Sequence, residues 1–391
     1  MGDCACTVDP SHFTGLEGRL FFVELTPACN NACIGCGNVF AGNRLPEPLS
    51  MQEWCTVLDR IAPSTSWLKI TGGEPTLHPE FEEIIEHAAA LGIPFTLFTN
   101  ARWLEPERLV YFLAGIPQLD GLLVSLHGAK AQPHEAFTCT PGSFDETVAN
   151  IRLAVDAGLK VTTSTVLTRY SCPEVEAIVS LGQELGADHA SFQRFIGASL
   201  PEIEPGELEL QRAVEAIENI ANGGNGIGGN GRGPKGNGEP VRFGTPIPHC
   251  FAANGSYGCL AGIAQATIDP WGNVRPCNHA PLMCGNLLER SLEEIWHSPA
   301  MEAWRGMTPV ECLGCREFAM CRGGCQATAM LRGLEKDPLI GKPVVTKPQE
   351  PPGKLALEGT QPLSRFSHKA RVVMDILDEQ RYARSIDALG G

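Results

Sequence analysis

The chain is predicted to be an α/β protein, a partial (β/α)6 TIM-like barrel followed by a small cysteine-rich domain, and three observations point there. Short apolar runs alternate with helix-periodic segments, a stretch dominated by Gly, Asn and Pro interrupts the chain at residues 222–240, and residues 245–335 hold eight of the sixteen cysteines. The strand candidates, in order, are RLFFVEL, WLKITG, FTLFTN, GLLVSLHG, VTTSTVLT and HASFQRF. Each is short and rich in β-branched or aromatic residues. Between them lie SMQEWCTVLDRIA, EFEEIIEHAAALG, SFDETVANIRLAVDAG and CPEVEAIVSLGQELG, and ELELQRAVEAIENIA follows the last strand. All repeat apolar residues at helical spacing. Six strands interleaved with five helical segments imply a parallel sheet with its chemistry at the C-terminal strand ends.

The resulting division places a barrel at residues 18–221, a Gly/Asn-rich linker at 222–244, a cysteine-rich domain at 245–335 and a Pro-rich tail with a terminal amphipathic helix at 336–391. A net charge of -15 argues against binding nucleic acid or an anionic membrane surface. No apolar run is long enough to span a bilayer, and the N-terminus lacks a signal-peptide pattern, so a cytoplasmic location is expected. In a reducing compartment sixteen cysteines read as metal or cluster ligands rather than disulfides.

Cys29, Cys33 and Cys36 are spaced CxxxCxxC directly after the first strand. A four-iron cluster takes one thiolate per iron, so three cysteines leave one iron open to another ligand. Zinc stays open as an alternative, though a structural zinc site wants a fourth ligand nearby. After the second strand the chain reads Gly72, Gly73, Glu74, Pro75. Paired glycines allow close backbone approach to a ligand, and Glu74 offers a carboxylate to an ammonium group.

The two motifs, in this order, resemble the radical S-adenosylmethionine (SAM) superfamily, whose signature is CxxxCxxC after the first barrel strand. The resemblance implies a [4Fe-4S] cluster on Cys29, Cys33 and Cys36 with SAM bound to its open iron, and Gly72, Gly73, Glu74 and Pro75 near the methionine amino group. Asn100, Ser125 and Ser164, near the ends of the third, fourth and fifth strands, match positions where the family places polar residues toward the cofactor. Capping of the next turn is an equal reading for each of them. His127 reads as structural. No catalytic side chain is identified.

A second resemblance lies in the C-terminal part. Cys259 is followed by twelve residues, Gly272, four residues and Cys277, and then Cys312, Cys315, Cys321 and Cys325 are spaced CxxC, five residues, CxxxC. This is similar to the SPASM extension, which carries auxiliary iron-sulfur clusters. By position, Cys250, Cys259, Cys277 and Cys325 would hold the first, and Cys312, Cys315 and Cys321 the second. No cysteine follows Cys325, so the second site is one thiolate short, with Cys284, Asp337, water or a substrate atom open as the fourth ligand. Cys284, like Cys4, Cys6, Cys55, Cys139 and Cys172, also reads as a buried thiol.

The resemblance implies an oxidoreductase-type enzyme that reductively cleaves SAM to a 5'-deoxyadenosyl radical and abstracts hydrogen from substrate. Peptide or protein side-chain modification is the expected outcome, as in the cyclase of the pyrroloquinoline quinone precursor peptide. Oxidative tailoring of a haem-like precursor is the alternative, and a non-catalytic electron carrier is a rival that leaves Gly72–Pro75 unexplained. Expected partners are a peptide or small-molecule substrate and a low-potential donor such as flavodoxin or ferredoxin. Eighteen residues before the first strand are too few for a leader-binding domain, which leaves room for a separate peptide-recognition protein.

Overall fold

The computed structural model describes residues 18–40, 46–223, 240–252 and 258–342. The first part runs β1 (Arg19–Glu24), α1 (Met51–Ile61), β2 (Thr65–Thr71), α2 (Phe81–Ala90), β3 (Phe95–Thr99), α3 (Pro106–Ala114), β4 (Leu119–Ser125), α4 (Ala131–Thr138), α5 (Ser143–Asp156), β5 (Val161–Leu167), α6 (Val175–Glu184), β6 (His189–Arg194) and α7 (Glu207–Ala221). All six strands expected from the sequence are present. Helices α3 and α4 are additional to the expected ones.

Local chemistry explains the elements. Ser50 precedes α1 as its N-cap, and its backbone N–H donates to Glu53 Oε2 at 2.9 Å, one half of a capping box. Trp54, Val57, Leu58 and Ile61 then recur at helical spacing and are fully buried. Each such side chain contributes about 1.5–3 kcal/mol by leaving water. They meet the outward residues of the sheet, Phe21 and Val23 of β1 and Leu68 and Ile70 of β2, within one continuous core.

β1 to β6 pair in parallel in chain order. Two features depart from the sequence-based division. Val241–Phe243, at the end of the expected linker, forms β7 and pairs in parallel with β6. Beyond it, β8 (Gln265–Ile268) pairs in parallel with β1, and β9 (Asn273–Arg275) and β10 (Gly285–Asn286) extend the sheet antiparallel. The ten-stranded order is β10-β9-β8-β1-β2-β3-β4-β5-β6-β7, an open sheet and so a partial barrel. Four short helices complete the described part: α8 (Leu292–Trp296), α9 (Pro299–Arg305), α10 (Phe318–Cys321) and α11 (Gln326–Leu331). The expected terminal helix, Cys4 and Cys6 lie outside the described residues. Among the described residues, no helix is long and apolar enough to cross a membrane.

Candidate functional site

The site is assembled where β1 and β2 end. Gly73 N–H donates to Thr26 O at 2.7 Å and Glu74 N–H to Ala28 O at 2.7 Å, so the Gly72–Pro75 segment is laced to the chain entering Cys29. Only glycine permits this. Gly72 has φ +150°, and a Cβ there would lie 2.6 Å from Thr26 O, while one on Gly73 would lie 2.2 Å from Ala28 O.

Glu74 is fully buried, and both its oxygens are occupied within the protein. Oε1 accepts from Thr76 Oγ1 at 2.7 Å and Thr99 Oγ1 at 2.9 Å, and Oε2 accepts from Asn100 N–H at 2.7 Å. Its carboxylate therefore ties β2 to the end of β3, and the main chain of Gly72 and Gly73 is the part of the motif that closes on the cysteine loop. Burial pushes the Glu74 carboxyl up, against the downward pull of these hydrogen bonds.

Asn100 is buried and turned toward the cysteines. Its Nδ2 lies 3.7 Å from Cys29 Sγ and donates to Asn30 Oδ1 at 2.7 Å. Arg102, which the sequence did not single out, donates to Asn31 Oδ1 at 3.0 Å and pairs with Glu146 at 2.9 Å, pinning the same loop from outside. On the far side, Ala32 N–H donates to Thr138 O at 3.1 Å and Ile34 N–H to Phe137 O at 2.9 Å, so α4 is the wall against which the loop is built.

Cys29, Cys33 and Cys36 come together in this loop, close enough for each charge to act on its neighbour. Burial pushes all three thiols up, so they are uncharged unless a metal holds them as thiolates. Three thiols carried by one loop after β1 fit a four-iron cluster with one iron left for another ligand. Among the described residues no three His, Cys, Asp or Glu side chains are close enough to hold one metal ion. Cluster thiolates bind separate irons and need no such convergence.

Ser125, Ser164 and Ser191 lie in register across β4, β5 and β6. Gln193 Nε2 donates to Ser191 Oγ at 2.9 Å and Ser164 Oγ at 3.3 Å, so Ser191 and Gln193 join the polar row that the sequence expected of Ser125 and Ser164. His127 is structural in its contacts. Its Nδ1 accepts from Val166 N–H at 3.3 Å, its main-chain N–H donates to His134 Nδ1 at 3.1 Å, and burial with the neighbouring His134 lowers its pKa to about 3.

The C-terminal cysteines fall into two sets. Cys259, Cys277 and Cys325 are mutual neighbours, and burial pushes Cys277 up to about 12. Cys312, Cys315 and Cys321 form the other set, and Cys250 lies with them: it acts on Cys312, and the N–H of His249 donates to Cys321 Sγ at 3.4 Å. The sequence placed Cys250 with the first set. Cys284 is buried within the main core, its thiol bonded to Ser298. Asp337 is also engaged elsewhere. It pairs with Arg194 and accepts from Cys325 N–H at 2.7 Å and Leu339 N–H at 3.0 Å.

The two halves of the site touch. Arg275 pairs with Glu24 at the end of β1 and donates to Ala280 O at 2.9 Å, clamping the Cys277 loop to the barrel. His279 Nδ1 lies 3.1 Å from Gly37 O, beside Cys36, and a Cβ on Gly37 would lie 2.5 Å from the His279 ring. The turn that delivers β9 needs Gly272 at φ +82°, with Asp269 Oδ1 accepting from Trp271 N–H at 3.0 Å and Asn273 N–H at 2.9 Å.

An open parallel barrel with a three-thiol loop after β1 defines an iron-sulfur enzyme of the radical type, and comparison with known proteins agrees. The sequence matches the Radical SAM superfamily over residues 23–181 and the SPASM iron-sulfur cluster-binding domain over residues 259–325. The chain is a radical SAM enzyme with a SPASM domain. It is 27% identical to the AdoMet-dependent heme synthase of Methanosarcina barkeri over 331 residues, covering 80% of this chain and 92% of that one. It is 28% identical to mycofactocin maturase MftC of Mycobacterium tuberculosis over 325 residues, 80% of each. In fold it is similar to Streptococcus suis SuiB bound to S-adenosylmethionine, with TM-score 0.67, 18% identity and coverage of 83% of this chain and 77% of that one.

Proposed function

We propose that this enzyme modifies a peptide or protein side chain by hydrogen abstraction. Residues 18–221 act as the catalytic core and residues 245–335 as the auxiliary-cluster domain. Cys29, Cys33 and Cys36 would hold a four-iron cluster, which when bound would supply the reducing electron for cleavage of SAM. The chain's own residues then position and shield. Gly72 and Gly73 present main chain to the cofactor's amino group, with Glu74 bracing them and Pro75 ending the segment. Asn100 orients Cys29, and Ser125 and Ser164 offer hydroxyls across the sheet. Cys259, Cys277 and Cys325 serve one auxiliary cluster and Cys312, Cys315 and Cys321 another, in a cytoplasmic protein reduced by flavodoxin or ferredoxin.

The observation that carries this reading is the lacing of Gly73 and Glu74 to Thr26 and Ala28, which joins the two motifs into one site. A peptide substrate is supported by the similarity to a maturase. The similarity to a heme synthase favours, as second reading, oxidative tailoring of a tetrapyrrole. Anaerobic incubation with SAM and a low-potential reductant should release 5'-deoxyadenosine. Peptides encoded by short reading frames beside the gene should raise that yield and lose hydrogen mass. Stimulation by a tetrapyrrole alone would favour the second reading, and no 5'-deoxyadenosine under any condition would sink both.

A further inference from the structure

The sequence counts three cysteines for the second auxiliary site and four for the first, but the fold distributes them differently. Cys250 lies beyond β7 in a short turn in which Phe251 and Ala252 N–H both bond to Pro248 O, at 2.8 and 3.1 Å. That turn sets His249 N–H against Cys321 Sγ at 3.4 Å, and the thiol of the next residue, Cys250, is close enough for its charge to act on Cys312. Returning toward Cys259, the chain is held there again, because Gly258 N–H donates to Met320 O at 2.7 Å and a Cβ on Gly258 would lie 2.2 Å from Cys321 O. The thiol of Cys250 itself accepts from Gly341 N–H at 3.3 Å.

Exposure follows the same division only at its extremes. Cys277 and Cys325 are buried and Cys250 and Cys315 exposed, with Cys259, Cys312 and Cys321 half-buried between them. Gly323, at φ +78°, lets the chain turn between the sets, and a Cβ on it would lie 3.5 Å from Cys312 Sγ.

We propose that Cys250 is the fourth thiolate of the second auxiliary cluster, with Cys312, Cys315 and Cys321, and that Cys259, Cys277 and Cys325 are the three cysteines of the first. The vacancy thereby moves from the Cys312, Cys315 and Cys321 set to the Cys259, Cys277 and Cys325 set. This rests on the reading that the C-terminal cysteines hold two clusters, which total iron tests by itself: about twelve irons per chain for three four-iron clusters.

The assignment is tested on reconstituted full-length protein by mapping iodoacetamide labelling of Cys250. A cluster thiolate is shielded from alkylation, so Cys250 should be protected in the native chain and in a chain with Cys259, Cys277 and Cys325 changed to Ala. It should become labelled when Cys312, Cys315 and Cys321 are changed to Ala. The reverse pattern overturns the proposal, as does labelling or protection in all three. Single serine substitutions give a second readout should either triple variant fail to fold, because serine can keep a cluster while shifting its potential. The redox couple moved by Cys312→Ser should also be moved by Cys250→Ser. Movement instead of the couple that Cys259→Ser shifts, or of neither, overturns the assignment.

Discussion

Arg194 and Asp337 form a buried, two-pronged ion pair that joins the end of β6 to the segment beyond Cys325. The second prong, Nη2 to Oδ1, is 3.0 Å. Asp337 also receives Cys325 N–H, and a Cβ on Gly324 would lie 2.5 Å from Asp337 Oδ2. The pair thus sets the position of Cys325 from across the molecule. Removing one partner strands the other's charge in the interior, which costs about 3–5 kcal/mol. Arg194→Ala should lower the melting temperature and the iron content together. Normal iron in a destabilised variant would limit the pair to a structural role.

Changing Cys29, Cys33 and Cys36 to Ala should abolish 5'-deoxyadenosine formation and leave about eight irons, as two four-iron clusters would give. Iron analysis and anaerobic turnover check this. Continued cleavage of SAM by the variant would show that the cofactor is reduced elsewhere.

Gly73→Ala should act through the cysteine loop. The new methyl group meets Ala28 O at 2.2 Å, and that carbonyl immediately precedes Cys29. Overpacking of this kind costs about 1–3 kcal/mol. The visible absorption of the first cluster should fall, with the auxiliary clusters retained. An unchanged spectrum would mean that the loop yields freely.

Acid should loosen the wall behind that loop. Burial lowers His127 to about 3 and, with Arg102 adding to burial, His134 to about 4. Both folded values lie below the ordinary histidine value near 6.5. The unfolded chain therefore binds more protons, and stability is full above the unfolded value and lost as pH falls toward 4. Each histidine contributes a slope on the order of 1 kcal/mol per pH unit within that window. His127→Gln should flatten the pH dependence of urea midpoints between pH 7.5 and 5 relative to the native chain. An identical slope in both would assign the acid sensitivity to other groups.

Much of this was legible in the sequence because it is periodic or local. The strands of the barrel and helices such as α1 repeat apolar residues at fixed spacing, and CxxxCxxC and Gly72–Pro75 each fall within one loop. Helix α3 was missed because it is short and leaves Tyr111 exposed. β7, β9 and β10 span two or three residues, too few for any period to register. The site's finer arrangement depends on partners distant in sequence. Arg194 and Asp337 are 143 residues apart, and His249 reaches Cys321 over 72. Glu74 was read as an open carboxylate because a sequence does not reveal that Thr99 and Asn100 already occupy it.

β1 has β2 on one side and β8 on the other, with Leu20 opposite Gln265. During translation that second neighbour arrives 245 residues later, a delay of about 10–50 seconds at ordinary elongation rates. Through that interval the strand leading into Cys29 presents one bare hydrogen-bonding edge, the kind of surface that invites pairing with another nascent chain. The order of synthesis therefore makes the last strands to emerge the seal on the first, and a ribosome stalled before Gln265 would release a barrel with its leading edge unprotected.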